Sequence, residues 1–422
     1  MMNLSDFDKQ LIWHPFTQHH TSGCSIPITK GDGVLLWGEN GEEYIDAISS
    51  WWTNVFGHCQ PDISQAIKCQ LDTLEHVIFS GFTHRPAVDL ADLLLSALPE
   101  NQKKVFFSDN GSTAVEVALK MSIQYWHNKG IEKQTFISFV DAYHGDTFGA
   151  MSVGTRGVFN QAFESLLFNV EFVDLPNESN FEMVLNHFID IIHTGNVAAF
   201  IFEPLIQGSA GMNMYSSIYL DKLIEIAKNE SVICIADEVM TGIGRTGKPF
   251  ASDYLTHNPD IFCISKGITG GFLPLGLTTC TQPIYDAFLS TDKMKTFLHG
   301  HSYTGNPLSC AAAVASLKLL NNSASQISSL TEWQKLFALG LRTNSKIENV
   351  RHLGTIVAFE VITQQQSNYF NELRDFLYAE FLKRGVLLRP LGNTIYIMPP
   401  YVISHEQLKY VYAVIDEVLK LV

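Results

Sequence analysis

The chain has no apolar run approaching the roughly 20 residues of a membrane-spanning helix, and its 422 residues contain no internal repeat or low-complexity linker. Basic residues are scarce: 28 Lys and Arg stand against 43 Asp and Glu, a formal charge of −15. Non-specific nucleic-acid binding needs Lys and Arg on phosphates, so nucleic acid is not an expected partner. Small acidic substrates stay open, because one local arginine can bind them. The seven cysteines are odd in number and show no C-x-x-C spacing. Cys234 and Cys263 sit inside apolar runs and read as small buried hydrophobes in a reducing compartment. The N-terminal "MMNLSDFDKQLIW" carries acids and lacks the apolar core of a secretory signal. The expected location is the cytoplasm. No metal is expected either, since there is no H-E-x-x-H and His299-Gly300-His301 has no acid nearby at ligand spacing.

What the chain does have is alternation. Apolar runs rich in β-branched or aromatic residues occur at 104–108, 135–140, 170–175, 197–204, 232–238, 261–265 and 277–281. Helical patterns fill several gaps, most clearly at 112–126, where Ala114, Ala118, Met121 and Tyr125 recur every three or four residues. Runs that are apolar throughout and separated by helices predict an α/β fold with a mostly parallel sheet covered on both faces. The ends differ. Residues 28–50 read as strands around an Asn40-Gly41 turn, and the segment after about 310 reads as a long helix followed by further strands. The expected assembly is a large α/β domain over 49–309, with a smaller α+β domain built from 1–48 and 310–422.

Polar residues cluster just beyond the carboxyl ends of the apolar runs: Ser108 to Ser112, Tyr143 to Asp146, Glu203, Asp237-Glu238 and Lys266. In open α/β sheets the ligand crevice lies outside those ends. Asp109, Asn110 and Asp146, each taken singly, read better as caps or satisfied polar groups, but five clusters at one kind of position exceed what capping explains. "SDNGSTAVEVALKM" is a glycine-containing turn opening a helix, which suits either an anion at the helix N-terminus or an ordinary Ser/Thr cap followed by Glu116. Lys266 ends an apolar run and is followed by Gly267, Gly270 and Gly271, which are expected to loosen the backbone around it. A desolvated lysine shifts toward the neutral amine, which attacks carbonyls to form Schiff bases. Asp237 ends another buried run, and a buried carboxylate needs a cationic partner. A pyridinium nitrogen fits that need, as in pyridoxal phosphate sites. Tyr143 or His144 could then cover the ring and the 111–113 turn hold the phosphate. Glu203 reads as a hydrogen-bonding support.

Two glycine patterns do not hold up. Residues 242–249, "GIGRTGKP", match G-x-x-x-x-G-K but place Pro249 where a phosphate loop needs Ser or Thr. The same glycines spell G-x-G-x-x-G without the strand before and helix after that a dinucleotide site requires. The segment reads as a loop with Arg245 available for ion pairing.

The stretches "FSDNGSTAVEVALKM", "YHGDTFGAMS", "IADEVMTGIGRTGKPFA", "ISKGITGG" and "FLHGHSYTGNPLSCAAA" resemble the class III aminotransferases, pyridoxal-phosphate enzymes of fold type I, over nearly the whole chain. The resemblance implies that Lys266 binds the cofactor covalently and moves a proton at the reacting carbon. It implies that Asp237 keeps the ring nitrogen protonated, that Gly111 and Ser112 bind the phosphate, and that Tyr143 stacks on the ring and lines the substrate pocket. It further implies a homodimer in which His301 and Ser302 reach the other protomer's phosphate. Gly300 would touch substrate, Trp51 and Trp52 would wall the pocket, and Arg389 would meet the keto acid's carboxylate. The two tryptophans are expected on a strand, pointing to opposite faces. "HPFTQH", "SSWWTNVFGH" and "VLLRPLGNTIYIMPPY" are similar to the branch of the family that serves biotin synthesis, with S-adenosylmethionine as amino donor. Phe16 stands where the S-adenosylmethionine-using relatives carry a substrate-recognising Tyr, and some lysine-using relatives share the Pro-Phe-Thr sequence. The alternatives are therefore lysine as donor, or a general ω-aminotransferase acting on ornithine, 4-aminobutyrate or a diamine.

Overall fold

The alternating apolar runs form one seven-stranded sheet. The computed structural model describes residues 3–157, 159–363 and 371–422. In spatial order the strands are Gln102–Ser108, Gly276–Thr281, Ile261–Ile264, Ile233–Asp237, Val197–Phe202, Thr135–Phe139 and Val170–Val173. Only Gly276–Thr281 runs against the others, pairing antiparallel with both neighbours. The remaining pairings within the sheet are parallel. The carboxyl ends of six strands therefore share one edge.

Side-chain alternation along these strands divides the core. Ile201, Ile235, Ile261 and Cys263 pack on one side with Ala114, Ala118 and Met121 of the helix Gly111–Asn128. Phe200, Phe202, Cys234, Ala236, Phe262 and Ile264 pack on the other. Successive strand residues point to opposite faces, so a strand that is apolar throughout requires cover on both, and this sheet has it. The buried cysteines are free thiols that act as small hydrophobes, and burial raises the thiol pKa of Cys234 and Cys263 well above the ordinary value.

Residues near the two termini meet in a second sheet. The strands Ile28–Asp32, Leu35–Gly38 and Glu43–Asp46 form an antiparallel meander, with the Asn40-Gly41 turn joining the last two. Val386–Leu387 adds to it in parallel beside Ile45 and Asp46. A three-stranded antiparallel sheet holds Ile347–Leu353, Ile356–Val361 and Thr394–Ile397. Among the described residues no helix is long and apolar enough to cross a membrane.

The loop at 242–249 is tied into this arrangement, and Arg245 departs from its expected role. It is 1% exposed, and among the described residues its hydrogen bonds go to carbonyls and not to a carboxylate. Its guanidinium donates to Pro399 O at 3.0 Å and Trp52 O at 3.3 Å, and it lies 5.4 Å from the Tyr401 ring. Carbonyl dipoles and a ring face replace the expected counter-ion, and burial lowers the guanidinium pKa. Glu238, also buried, accepts from Thr241 Oγ1 and from the N–H groups of Ala251 and Ser252, which closes the loop on itself. Gly354 packs flat on the backbone of Thr246 and Gly247 with φ +58°, so a Cβ there would collide with main-chain atoms that cannot swing away. Gly354→Ala should accordingly destabilise the fold by about 2 kcal/mol or more, measured as a lowered midpoint of denaturant unfolding at unchanged slope.

Candidate active site

The shared strand edge opens into a cleft of about 730 Å³. Lys266, Asp237, Tyr143, Gly111, Ser112 and Trp52 all line it. They lie far apart in sequence, and the topology delivers them together because each follows the carboxyl end of a strand or belongs to a turn packed against that edge.

Lys266 stands two residues beyond the strand Ile261–Ile264, in a left-handed conformation with φ 44°. Its Nζ lies 4.4 Å from the centroid of the Trp52 ring. Burial lowers its pKa from 10.5 to about 8, against the raising influence of Asp237 and Glu203 and with a further lowering from Arg245. The following glycines do not loosen the backbone as expected. Lys266–Thr269 is a short 3-10 helix in which Gly267, Ile268 and Thr269 are buried. A Cβ at Gly267 would press on Val55 and Ile243, and one at Gly271 would meet the Asn54 and Thr53 backbone at 3.1 to 3.2 Å. These glycines let other chain segments approach closely.

Asp237 receives His144 Nδ1 at 2.7 Å on one oxygen and Val239 N at 3.1 Å on the other. His144 is thus committed to Asp237, while its buried Nε2 meets no hydrogen-bond partner among the described residues. Tyr143 is fixed through its backbone N–H, which donates to Glu203 Oε1 at 3.1 Å, and Glu203 Oε2 accepts from Gly208 N at 2.9 Å. Burial raises the Glu203 pKa to about 7, opposed chiefly by His144. Burial also raises the Tyr143 phenol, with Asp146 adding to the shift by charge and hydrogen bond.

The helix Gly111–Asn128 begins at this edge. Its cap is Asn110, whose side chain accepts from Thr113 N while Thr113 Oγ1 accepts from Asn110 N. The expected pairing of a Ser or Thr cap with Glu116 does not form: Glu116 accepts instead from Gly149 N and Ala150 N in the next helix. Ser112 Oγ accepts from Thr147 N at 2.9 Å. First-turn N–H groups have no intrahelical acceptor, and Gly111 and Ser112, which open this turn, line the cleft. Gly111 cannot carry a side chain, since a Cβ would lie 2.6 Å from Val239 Cγ1.

The tryptophans correct another expectation. Ser49–Trp52 is a left-handed turn instead of a strand, with φ of 52°, 45°, 73° and 75°. Left-handed helix costs L residues roughly 1–2 kcal/mol each, so four in succession need strong external support. The turn sends Trp52 into the cleft, 5% exposed, with Nε1 donating to the Tyr396 hydroxyl at 3.1 Å. Trp51, 39% exposed, joins an outer cluster: Phe16 meets it edge-on at 5.5 Å, and the Arg389 guanidinium sits 5.0 Å from its ring centroid. Gly300, His301 and Ser302 do not line the cleft of this chain, and Gly300 and Ser302 are exposed.

The profile of the family described as Aminotransferase class-III matches residues 16–419. The chain belongs to the class-III aminotransferases. This class-III chain is 45% identical to the adenosylmethionine-8-amino-7-oxononanoate aminotransferase of Synechococcus elongatus, over 97% of this chain and 98% of that one. It is 39% identical to the Helicobacter pylori protein of the same name, over 99% and 98%. The crystal structure of the Methanocaldococcus jannaschii protein of that name superposes with a TM-score of 0.93 at 36% identity, covering 99% and 98%. An amine transaminase from an uncultivated Pseudomonas species, solved in its PLP-bound form, gives a TM-score of 0.90 at 29% identity, covering 97% and 98%. The fold is therefore the α/β fold type I of PLP-dependent transaminases.

Composition and spacing did not reveal Asp46 or His58, which bond to each other and to the turn between them, nor the acceptors of Arg245, which lie in distant segments. The lowered Lys266 pKa has a direct consequence. The neutral amine dominates above the folded pKa, so reaction of Lys266 with an aldehyde reagent should accelerate through a midpoint of about 8 as pH rises. Trapping by borohydride and peptide mapping across pH would measure it. A midpoint near the ordinary 10.5 would mean that burial does not act on this amine.

Proposed function

We propose that this chain transfers the amino group of S-adenosylmethionine to 8-amino-7-oxononanoate, giving 7,8-diaminopelargonate in biotin synthesis, with pyridoxal 5'-phosphate as carrier. The observation that carries the reading is the joint placement of Lys266, the Asp237–His144 pair and the open N-terminus of the Gly111–Asn128 helix in one cleft. Full-length similarity to relatives named for this substrate pair supports the substrate choice over a general ω-aminotransferase.

The residues present fit the cofactor. The Gly111–Ser112 amides suit a phosphate, and the buried Asp237 suits a protonated ring nitrogen. Bound there, pyridoxal phosphate supplies a carbonyl for amine exchange and an electron sink for the carbanion at the substrate. Lys266 provides the amine that holds it and afterwards the base that moves the proton at the reacting carbon. Its lowered pKa suits that work near neutral pH. Tyr143 covers the ring. Trp52 walls the cleft itself, and the outer cluster of Trp51 and Phe16 would extend that wall with flat apolar surface that tolerates two differently shaped substrates in turn. Arg389 presents a two-pronged donor to the keto acid's carboxylate.

In this reading residues 49–309 form the cofactor-binding domain, and 1–48 with 310–422 the smaller one. Two protomers share their sites, with Gly300 toward substrate and His301 and Ser302 of each reaching the phosphate of the other. Phe16 lacks the hydroxyl of the relatives' tyrosine, which keeps lysine as the competing donor.

Amino-transfer assays decide it. The chain should aminate 8-amino-7-oxononanoate with S-adenosylmethionine as donor. Turnover with lysine alone, or failure on this acceptor with good activity on 4-aminobutyrate, would reverse the assignment. The loaded protein should carry the visible absorbance of a lysine-bound pyridoxal group. Lys266→Ala should lose that absorbance after dialysis against an amine, with activity down by roughly a thousandfold or more.

A further inference from the structure

We infer that Asp46 is a positioning residue: with His58 and Ser50 it sets the left-handed Ser49–Trp52 turn, and through that turn the substrate contacts of Trp51 and Trp52. The inference rests on the proposed reading in which the two tryptophans wall the substrate pocket.

Asp46 is fully buried at the end of the strand Glu43–Asp46. Both of its oxygens are engaged. Oδ1 accepts from Ile48 N at 3.2 Å and Ser50 N at 3.0 Å, and Oδ2 accepts from Ser50 Oγ at 2.7 Å and His58 Nε2 at 2.9 Å. These donors lie just before the turn, within it, and six residues beyond it. The chain beyond the turn is braced again where Asn54 Nδ2 meets His58 Nδ1 at 2.9 Å. An amide donating to Nδ1 leaves the proton on Nε2, directed at the carboxylate. Ionised carboxylates accept only, so the carboxylate here closes a set of donors that no neutral side chain of its size can satisfy.

The far side of the turn is held by long-range contacts. Arg245 donates to Trp52 O, and Ser49 Oγ donates to Met398 O at 2.9 Å. The Lys266 loop bears on its end through the close approach of Gly271 to Thr53 and Asn54. Two neighbouring side chains thus take opposite duties from one backbone geometry. The Trp52 ring faces Lys266 in the cleft, and the Trp51 ring carries Arg389 and Phe16 outside it. Releasing Asp46 should therefore move both at once while leaving Lys266, Asp237 and the helix N-terminus in place.

The test uses the full-length, PLP-loaded enzyme with Asp46→Asn, His58→Gln and Ser50→Ala, beside Trp51→Phe and Trp52→Phe. The three network variants should raise KM for donor and acceptor by about tenfold with kcat held within about threefold. The cofactor-free chains should lose part of the tryptophan signal in near-ultraviolet circular dichroism. If the tryptophan variants raise KM while the network variants match wild type in KM and dichroism, the inference is overturned and the pocket reading stands. If the tryptophan variants leave KM unchanged, the pocket reading fails and takes the inference with it. Should Asp46→Asn not fold, Ser50→Ala and His58→Gln carry the same test: a KM rise supports the inference, and wild-type values overturn it.

Discussion

Desolvation of charge at one edge of the seven-stranded sheet governs the rest of the molecule. Lys266, Asp237, Glu203, Glu238 and Arg245 all lie where water is largely excluded, and taking an ionised group out of water costs several kcal/mol unless partners replace the solvent. Each is met by a different device. Asp237 takes an imidazole and a backbone N–H. Glu203 and Glu238 take backbone amides, and Arg245 takes two carbonyls and a ring face. Lys266 has a ring face close by and the weaker raising influence of Asp237 and Glu203, which does not offset burial, so its proton is lost more easily than an exposed lysine's. That is the condition under which an amine becomes a nucleophile near neutral pH.

Some of these partners come from far along the chain, and through them Arg245 ties segments near both termini to the loop at 242–249. Arg245 reaches residues 154 and 193 positions away. Tyr401 donates to Ile243 O, and Met398 N donates to Ala47 O. The strained Ser49–Trp52 turn sits among these contacts. Left-handed backbone in non-glycine residues persists only where the surroundings over-determine it. Here a buried carboxylate holds one side and a buried guanidinium the other.

Much of this was legible in the sequence. Strands that are apolar throughout, separated by helical periodicity, specify a covered parallel sheet, and the polar residues after each strand mark its ligand edge. Lys266, Asp237, Tyr143, Gly111 and Ser112 fall together for that reason alone. The errors had a common origin. Arg245 looked like a loop residue seeking a carboxylate because the carbonyls that receive it are distant in sequence. The glycines after Lys266 looked like sources of freedom because the backbone of residues 53–54 that presses on Gly271 is more than two hundred positions away. The tryptophan pair looked like a strand because no local signal announces a left-handed turn without glycine.

The sequence by itself determined which strands form and which chemical groups stand at their ends, since both follow from a period of two and from the burial of apolar runs. Tertiary structure decided how those groups are tuned and aimed. The handedness at Ser49–Trp52 combines the local Asp46 network with distant contacts from Arg245 and Met398, and the partners of Arg245 and the lowered pKa of Lys266 depend on contacts between segments far apart along the chain. The free energy of such contacts is not written in any local pattern.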